Sequence, residues 1–476
     1  MMIIALVLAY LGLLFAVSRW SSRKGATNAT FYRADRQSPW YMVAFGMVGA
    51  SISGVTFVSV PGMVLTSQMT YLQTCMGFIL GYAVVAFVLL PLYYRLNLTS
   101  IYAYLGQRLG PRSHTTASAF FLLSKMAGAA VKFYVVCIVL QRFAFAPLGI
   151  PFAPAVALLV LVVWLYTRQG GIKTLVWTDS LQTVCLLVAL LLITGRVTDA
   201  LGMTTAEAAQ TVAGSNLSRV FVFDDWLSAH NFWKQFLSGV FIVIVMTGLD
   251  QDMMQKNLTC KTLRGAQKDM CSYGAAFVPV NLLFLSLGVL LAEWHARSGT
   301  ALPAGGDELL PGFVQAVSGA SPFVAAVFVV GVVAASFSSA DSALTSLTTV
   351  LCVDILRRSD DERLRRSAHA AVCAVFVVFV LLFHAVHSAS LIDAIYTLVG
   401  YTYGPLLGLF AFGLLTRRWV ADRWVPLVAV ASPLLSFLAS RLLASAAGYH
   451  MGYELLMLNG LLTFAGLFLL SCRREE

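Results

Sequence analysis

The stretch AASFSSADSALTSL, residues 334–347, carries five serines, one threonine and one aspartate inside a run that is otherwise apolar. Hydroxyls and a carboxylate at membrane depth must be satisfied by protein, water or an ion. At about 100° per residue, Ser338, Ser339, Ser342, Thr345, Ser346 and Thr349 fall within an arc of roughly 120°. Val333, Phe337, Ala340, Leu344 and Leu347 lie opposite, and Asp341 stands at the edge of the stripe. A row of neutral oxygens suits a hard, weakly charged cation, because it can replace part of the ion's water shell. The competing reading is that each hydroxyl bonds back to the carbonyl four residues earlier, as serines often do in membrane helices. Six hydroxyls and an acid on one stripe favour the ligand reading.

Three further places break the rules of an apolar chain. GMVGASISGVTF (46–57) interleaves Gly46, Gly49 and Gly54 with Ser51, Ser53 and Thr56. Glycines weaken a helix, and local unwinding frees carbonyl oxygens while small hydroxyls face a cavity; the alternative is a close helix crossing through small residues. YTRQGGIKTLVWTDSLQTV (166–184) enters a span through paired glycines and sets Asp179 about two turns inside, where Lys173 is its nearest basic neighbour in sequence. Lys125, in LLSKMAGAAVKFYV, needs either a protein acid or an anionic ligand, and Lys132 competes for the same role.

The elements that must position these residues are membrane helices. Of 476 residues 59% are hydrophobic and 11% charged, with a mean hydropathy of +0.81, outside the range of soluble domains. Apolar runs of roughly 20 residues, enough to cross the hydrocarbon core, predict thirteen spans near 2–20, 38–64, 70–96, 115–143, 150–168, 173–195, 230–255, 270–294, 320–356, 367–388, 390–416, 424–444 and 450–472. The first lacks a basic leader and a cleavage site and reads as a retained span, not a signal peptide. The net charge of +10 is topological. Basic residues gather in alternate loops, at Arg19, Arg23, Lys24, Arg33 and Arg36, then Arg95, Arg108 and Arg112, and so on to Arg473 and Arg474. The positive-inside rule makes those loops cytoplasmic, with the N-terminus outside and the C-terminus inside. That pattern argues against nucleic acid as a partner. Eight cysteines form no CxxC pair, so neither a disulfide framework nor a zinc site is indicated.

Together GGIKTLVWTDSLQ, LDQDMMQK (249–256), AASFSSADSALTS and TSIYAYLGQRLG (99–110) resemble the sodium:solute symporter family across essentially the whole chain. The resemblance implies an all-α multi-pass membrane protein with a LeuT-like core of five plus five helices in inverted repeat. Residues 1–37 would be an extra helix and loop, 38–416 the ten-helix core and 417–476 two C-terminal helices of one transporter domain. It implies a secondary symporter, not an enzyme, in the inner cell membrane, with sodium as coupling ion and the lipid bilayer and a small solute as partners, and no obligatory protein partner.

Carried over by resemblance, a first sodium site takes carbonyls of Gly49, Ile52 and Ala335 and hydroxyls of Ser338 and Ser339. A second site, for sodium or a proton, takes Asp179, Ser338, Asp341 and Ser342; Asp341 departs from the serine expected there, and two carboxylates either strengthen a cation site or share a proton. The substrate pocket is expected from Ser51, Ser53, Thr56, Gln73, Lys125 and Tyr396 or Tyr401, and the seventh span, VFIVIVMTGL, is expected to add little polarity. A carboxylate held by Lys125, as in a sialic acid, is the sharper substrate reading; a neutral sugar or amino acid is the alternative. An intramembrane hydrolase would need a histidine beside its serine, and the seven histidines sit at span ends or in loops. An ion channel is the remaining rival, since oxygen stripes also line pores.

Overall fold

The computed structural model describes residues 2–21, 27–168, 170–226, 228–318, 321–386 and 391–472. Arg23, Lys24, Arg473, Arg474 and His387 lie outside the described residues. In chain order the apolar helices are α1 (Met2–Ser21), the bent pair α2 (Trp40–Ser51) and α3 (Gly54–Ser67), α4 (Tyr71–Arg95), α5 (Pro111–Leu148), α6 (Phe152–Thr167) and α7 (Ile172–Leu201). They continue with the bent pair α8 (Phe232–Gly248) and α9 (Gln251–Asn257), α10 (Leu263–Ser298), α11 (Pro322–Ile355), α12 (Glu362–Ala385) and the bent pair α13 (Ile395–Thr402) and α14 (Gly404–Leu415). The last are α15 (Val425–Ala447) and α16 (Leu455–Leu469).

Among the described residues, eight helices are long and apolar enough to cross a membrane, or eleven when each bent pair is one span, with α6 and α16 shorter apolar helices. Each span expected from the sequence falls on one of these helices or pairs. Hydropathy misses the bends, because a break changes backbone direction without changing composition. It also misses short helices in the connections, such as Thr205–Gly214, whose capping box of Thr204 and Glu207 is a local polar signal.

The core is organised around α11. Every residue from 331 to 350 is buried, so the side opposite the oxygen stripe is buried as deeply as the stripe. Helices α1, α3, α5 and α7 pack around it. At the far end, Trp419–Val420 pairs antiparallel with Ser471–Cys472 and joins the ends of α14 and α16.

Candidate ion and substrate sites

The α2–α3 bend of 59° is made at Ile52 (ψ 84°) and Ser53 (ψ 172°). The Ser53 amide donates to the Ser51 carbonyl at 3.1 Å and leaves the helical i−4 pattern, so the last turn of α2 has carbonyls to spare. The glycines here also serve packing. A Cβ on Gly49 would lie 2.0 Å from Thr183 Oγ1 of α7, and one on Gly54 would lie 2.1 Å from Ser336 Oγ of α11. Unwinding and close crossing, posed as alternatives in the sequence, are both present. Ser339 Oγ lies 3.0 Å from the Ala50 carbonyl and 3.3 Å from that of Ala335, both acceptors for its hydroxyl. The α2–α3 break, with Gly49 and Ile52, is thereby held against the turn of α11 that carries Ala335, Ser338 and Ser339. These donors, all neutral oxygens, fit a monovalent cation by charge.

Asp179 and Asp341 are buried but differently partnered. Ser338 Oγ donates to Asp179 Oδ1 at 2.8 Å. Asp341 accepts Tyr166 Oη at 2.7 Å and Ser342 Oγ at 3.3 Å. The other Asp179 oxygen meets Lys256 Nζ of α9 at 2.6 Å, with 2% and 1% of the two side chains exposed. Lys173 pairs instead with Asp35, at 3.4 Å. Back-bonding to the carbonyl four residues earlier holds for Thr349, which donates to Thr345 at 2.9 Å, and in part for Ser339, which reaches Ala335 at 3.3 Å; Ser346 bonds one residue nearer, to Ala343 at 2.9 Å. It does not explain Ser338 or Ser342.

Beside the break lies a partly open cavity bordered by Ser51, Ser53, Thr56, Lys125 and Tyr396. Gln73 and Tyr401 are not on its wall. Gln73 faces α8 and the chain before it: its amide donates to the His230 carbonyl at 2.9 Å and accepts from the Val222 amide at 3.1 Å. Tyr401 packs on Phe437, ring centres 6.3 Å apart; two residues beyond the cavity-lining Val399, it points to the other helix face. Tyr403 takes its place on the wall.

Lys125 does not stand free. Its Nζ lies 3.1 Å from Asp250 Oδ2 and 2.7 Å from Asp252 Oδ2. Tyr403 Oη donates to Asp250 at 2.7 Å, and Asp250 also caps α9 by accepting the Asp252 amide at 2.8 Å. The wall from α8 is largely apolar as expected (Ile242, Val243, Met246) apart from Thr247, but the expectation of little polarity on that side fails, because Asp250 and Asp252 follow at the 68° bend. Their signal was in LDQDMMQK, which sets three charges in eight residues of a chain that is 11% charged. Lys132, seven residues after Lys125 and so on the same face of α5, also lines the cavity. No ion pair is found for it among the described residues.

Two of the sequence motifs dock on each other. At the α8–α9 break, Tyr93 and Tyr102 donate to the carbonyls of Gly248 and Leu249, each at 2.9 Å. Gln251 accepts the Ile101 amide and donates to the Thr99 carbonyl, again at 2.9 Å. The loop TSIYAYLGQRLG, through Tyr102, and α4, through Tyr93, thus satisfy two carbonyls that the bend leaves open, and Gln251 in turn satisfies backbone groups of the loop. Of the histidines, His369, about two turns into α12, is buried between Thr167 and Thr348 at 3.0 and 2.9 Å. Its partners are threonines, not the serine a hydrolase would need.

A profile of the sodium:solute symporter family matches residues 31–422. The sodium/sialic acid symporter NanT of Aliivibrio fischeri is 26% identical over 431 residues, covering 86% of this chain and 82% of its own. The sodium/sialic acid symporter SiaT of Proteus mirabilis is 23% identical over 456 residues, covering 92% and 89%. The human sodium-coupled monocarboxylate transporter 2 is 25% identical over 415 residues, covering 85% of this chain and 66% of its own. The fold is similar to the substrate-bound, outward-open structure of a Na+-coupled sialic acid symporter, with a TM-score of 0.81 at 22% identity and coverage of 98% and 97%. It is more distantly similar to Mhp1, a nucleobase-cation-symport-1 transporter in a closed conformation, with a TM-score of 0.59 at 17% identity and coverage of 94% and 95%.

Proposed function

This chain belongs to the sodium:solute symporter family, and we propose that the solute it carries with sodium is a small organic anion of the sialic acid or monocarboxylate kind. The observation that carries this reading is Lys132, a cavity-lining ammonium with no ion pair among the described residues. Lys125, two turns below on the same helix, is charge-balanced by Asp250 and Asp252 and is a second anchor only when those acids release it. The relatives named above carry sialic acid or monocarboxylates, which supports the same class. A neutral or zwitterionic solute is the alternative, favoured by the balance of two lysines and two aspartates on the wall.

The thirteen helices and bent pairs form, in this reading, a 5+5 inverted repeat over 38–416 with one span before it and two after. The two breaks support it, since α2–α3 and α8–α9 would be the first helix of each repeat, where a midplane site is built. The cytoplasmic side is that of the arginine-rich loops, with the N-terminus outside, in the inner membrane. The first sodium sits among Gly49, Ile52, Ala335, Ser338 and Ser339; a second ion, sodium or proton, uses Asp179, Ser338, Asp341 and Ser342. One charge crossing about 100 mV supplies roughly 2.3 kcal/mol, and a tenfold sodium gradient about 1.4 kcal/mol more, so each ion supports roughly 500-fold accumulation.

The test is a thermal-shift panel of sialic acids, monocarboxylates, sugars and amino acids in sodium or choline chloride. A carboxylate that stabilises only in sodium, and loses its effect in Lys132→Ala but keeps it in Lys132→Arg, is expected. A neutral ligand with the same sodium dependence, indifferent to Lys132→Ala, would overturn the anionic reading.

A further inference from the structure

The α9 helix carries a charge of each sign toward two different places. Asp252 reaches Lys125 at the cavity wall, while Lys256, four residues on, reaches Asp179 beneath the oxygen stripe. Positions four apart are neighbours on a helix surface. The pair is also poorly satisfied. Apart from the single ion contact, neither Lys256 Nζ nor Asp179 Oδ2 has a hydrogen-bond partner among the described residues, and Asp252 Oδ1 has none. An ammonium offers three donors and a carboxylate several acceptor sites. Buried polar groups are almost always hydrogen-bonded, and a place where several are left so incomplete calls for an explanation.

Resting on the second-ion reading above, we infer that Lys256 is a tethered cation that fills the Asp179 seat in the empty carrier and must be displaced by the second coupling ion. Its ammonium stands where that ion would sit, against the carboxylate that Ser338 orients. When sodium takes Asp179, Lys256 withdraws along α9 to the open oxygen of Asp252. Asp252 then divides its charge between two lysines and loosens its hold on Lys125, so that filling the ion seat raises positive charge at the solute cavity. Ion and solute are thereby linked through one short helix.

The test titrates sodium chloride, against choline chloride at constant ionic strength, into the purified full chain without solute, following thermal stability. A resident that holds the seat in about nine of ten empty carriers weakens apparent sodium affinity about tenfold. Lys256→Met is therefore expected to bind sodium about tenfold more tightly. Lys256→Arg keeps the charge and grips a carboxylate at two points, and is expected to bind sodium more weakly than wild type. Asp252→Asn removes the landing place and is expected to weaken sodium binding as well. A folded Lys256→Met with unchanged sodium affinity overturns the inference; if that variant does not fold, Lys256→Arg with unchanged or tighter affinity does so. A wild-type chain indifferent to sodium would instead overturn the coupling reading on which the inference stands.

Discussion

Asp250 is the side chain on which most of the cavity's geometry converges, and its removal is the most exacting test. Asp250→Ala removes the ion pair to Lys125, the Tyr403 hydrogen bond and the cap of α9. Loss of a cap costs about 0.5–2 kcal/mol. A buried Tyr403 hydroxyl left without its acceptor adds about 1–3 kcal/mol. Breaking a buried ion pair outright costs about 3–5 kcal/mol, but Lys125 keeps Asp252 at 2.7 Å, so only a fraction of that applies. A total of about 3 kcal/mol is expected, which at the unfolding entropy of a chain this long is a fall of about 3 °C in Tm. Asp250→Asn retains an acceptor for Tyr403 and for the cap and should lose less. The assay is thermal unfolding of the detergent-solubilised chain, run on both variants and on Lys125→Met in the wild-type and Asp250→Ala backgrounds. Because the two residues touch, their effects should be non-additive by about 1 kcal/mol or more. Strict additivity, or a Tm for Asp250→Ala equal to wild type, would refute the network.

Gly49→Ala should destabilise by about 1–3 kcal/mol through overpacking, since the new Cβ meets Thr183 Oγ1 at 2.0 Å and Thr183 Cα at 3.2 Å; it should also weaken sodium-dependent stabilisation, and an unchanged melting curve and sodium response would count against the close α2–α7 contact. Thr204→Ala should loosen but not release Glu207, whose carboxyl is held below its ordinary value first by the Thr204 backbone amide, which alanine keeps, and then by the hydroxyl, which it loses. Because the folded value is depressed, this contribution is present above the ordinary glutamate pKa of about 4.3 and is lost as the pH falls through the lower folded value; a chemical-shift titration of Glu207 should move upward in the variant.

Much of this molecule was legible in the sequence. Lipid accepts only helices whose backbone is internally satisfied, so composition dictated the spans, and the oxygen stripe, the glycine-serine run and Asp179 stood out because polar groups at that depth need a reason. Position on a helix face brought Ser339 to the α2–α3 break and Ser338 to Asp179, contacts that the family resemblance implied and that the spacing of the stripe did not specify. Partnerships of charge were decided only by tertiary structure. That Lys125 is held by Asp250 and Asp252, and that Lys256 and not Lys173 meets Asp179, depend on the α8–α9 break, and Tyr403 joins the cavity at the α13–α14 bend, while Gln73 braces the chain before α8 through packing alone. A break redirects the chain by 59° or 68° without leaving a trace in hydropathy. Residues separated by 77 positions, as Asp179 and Lys256 are, become neighbours through packing, and no local periodicity encodes which buried ammonium will find which carboxylate.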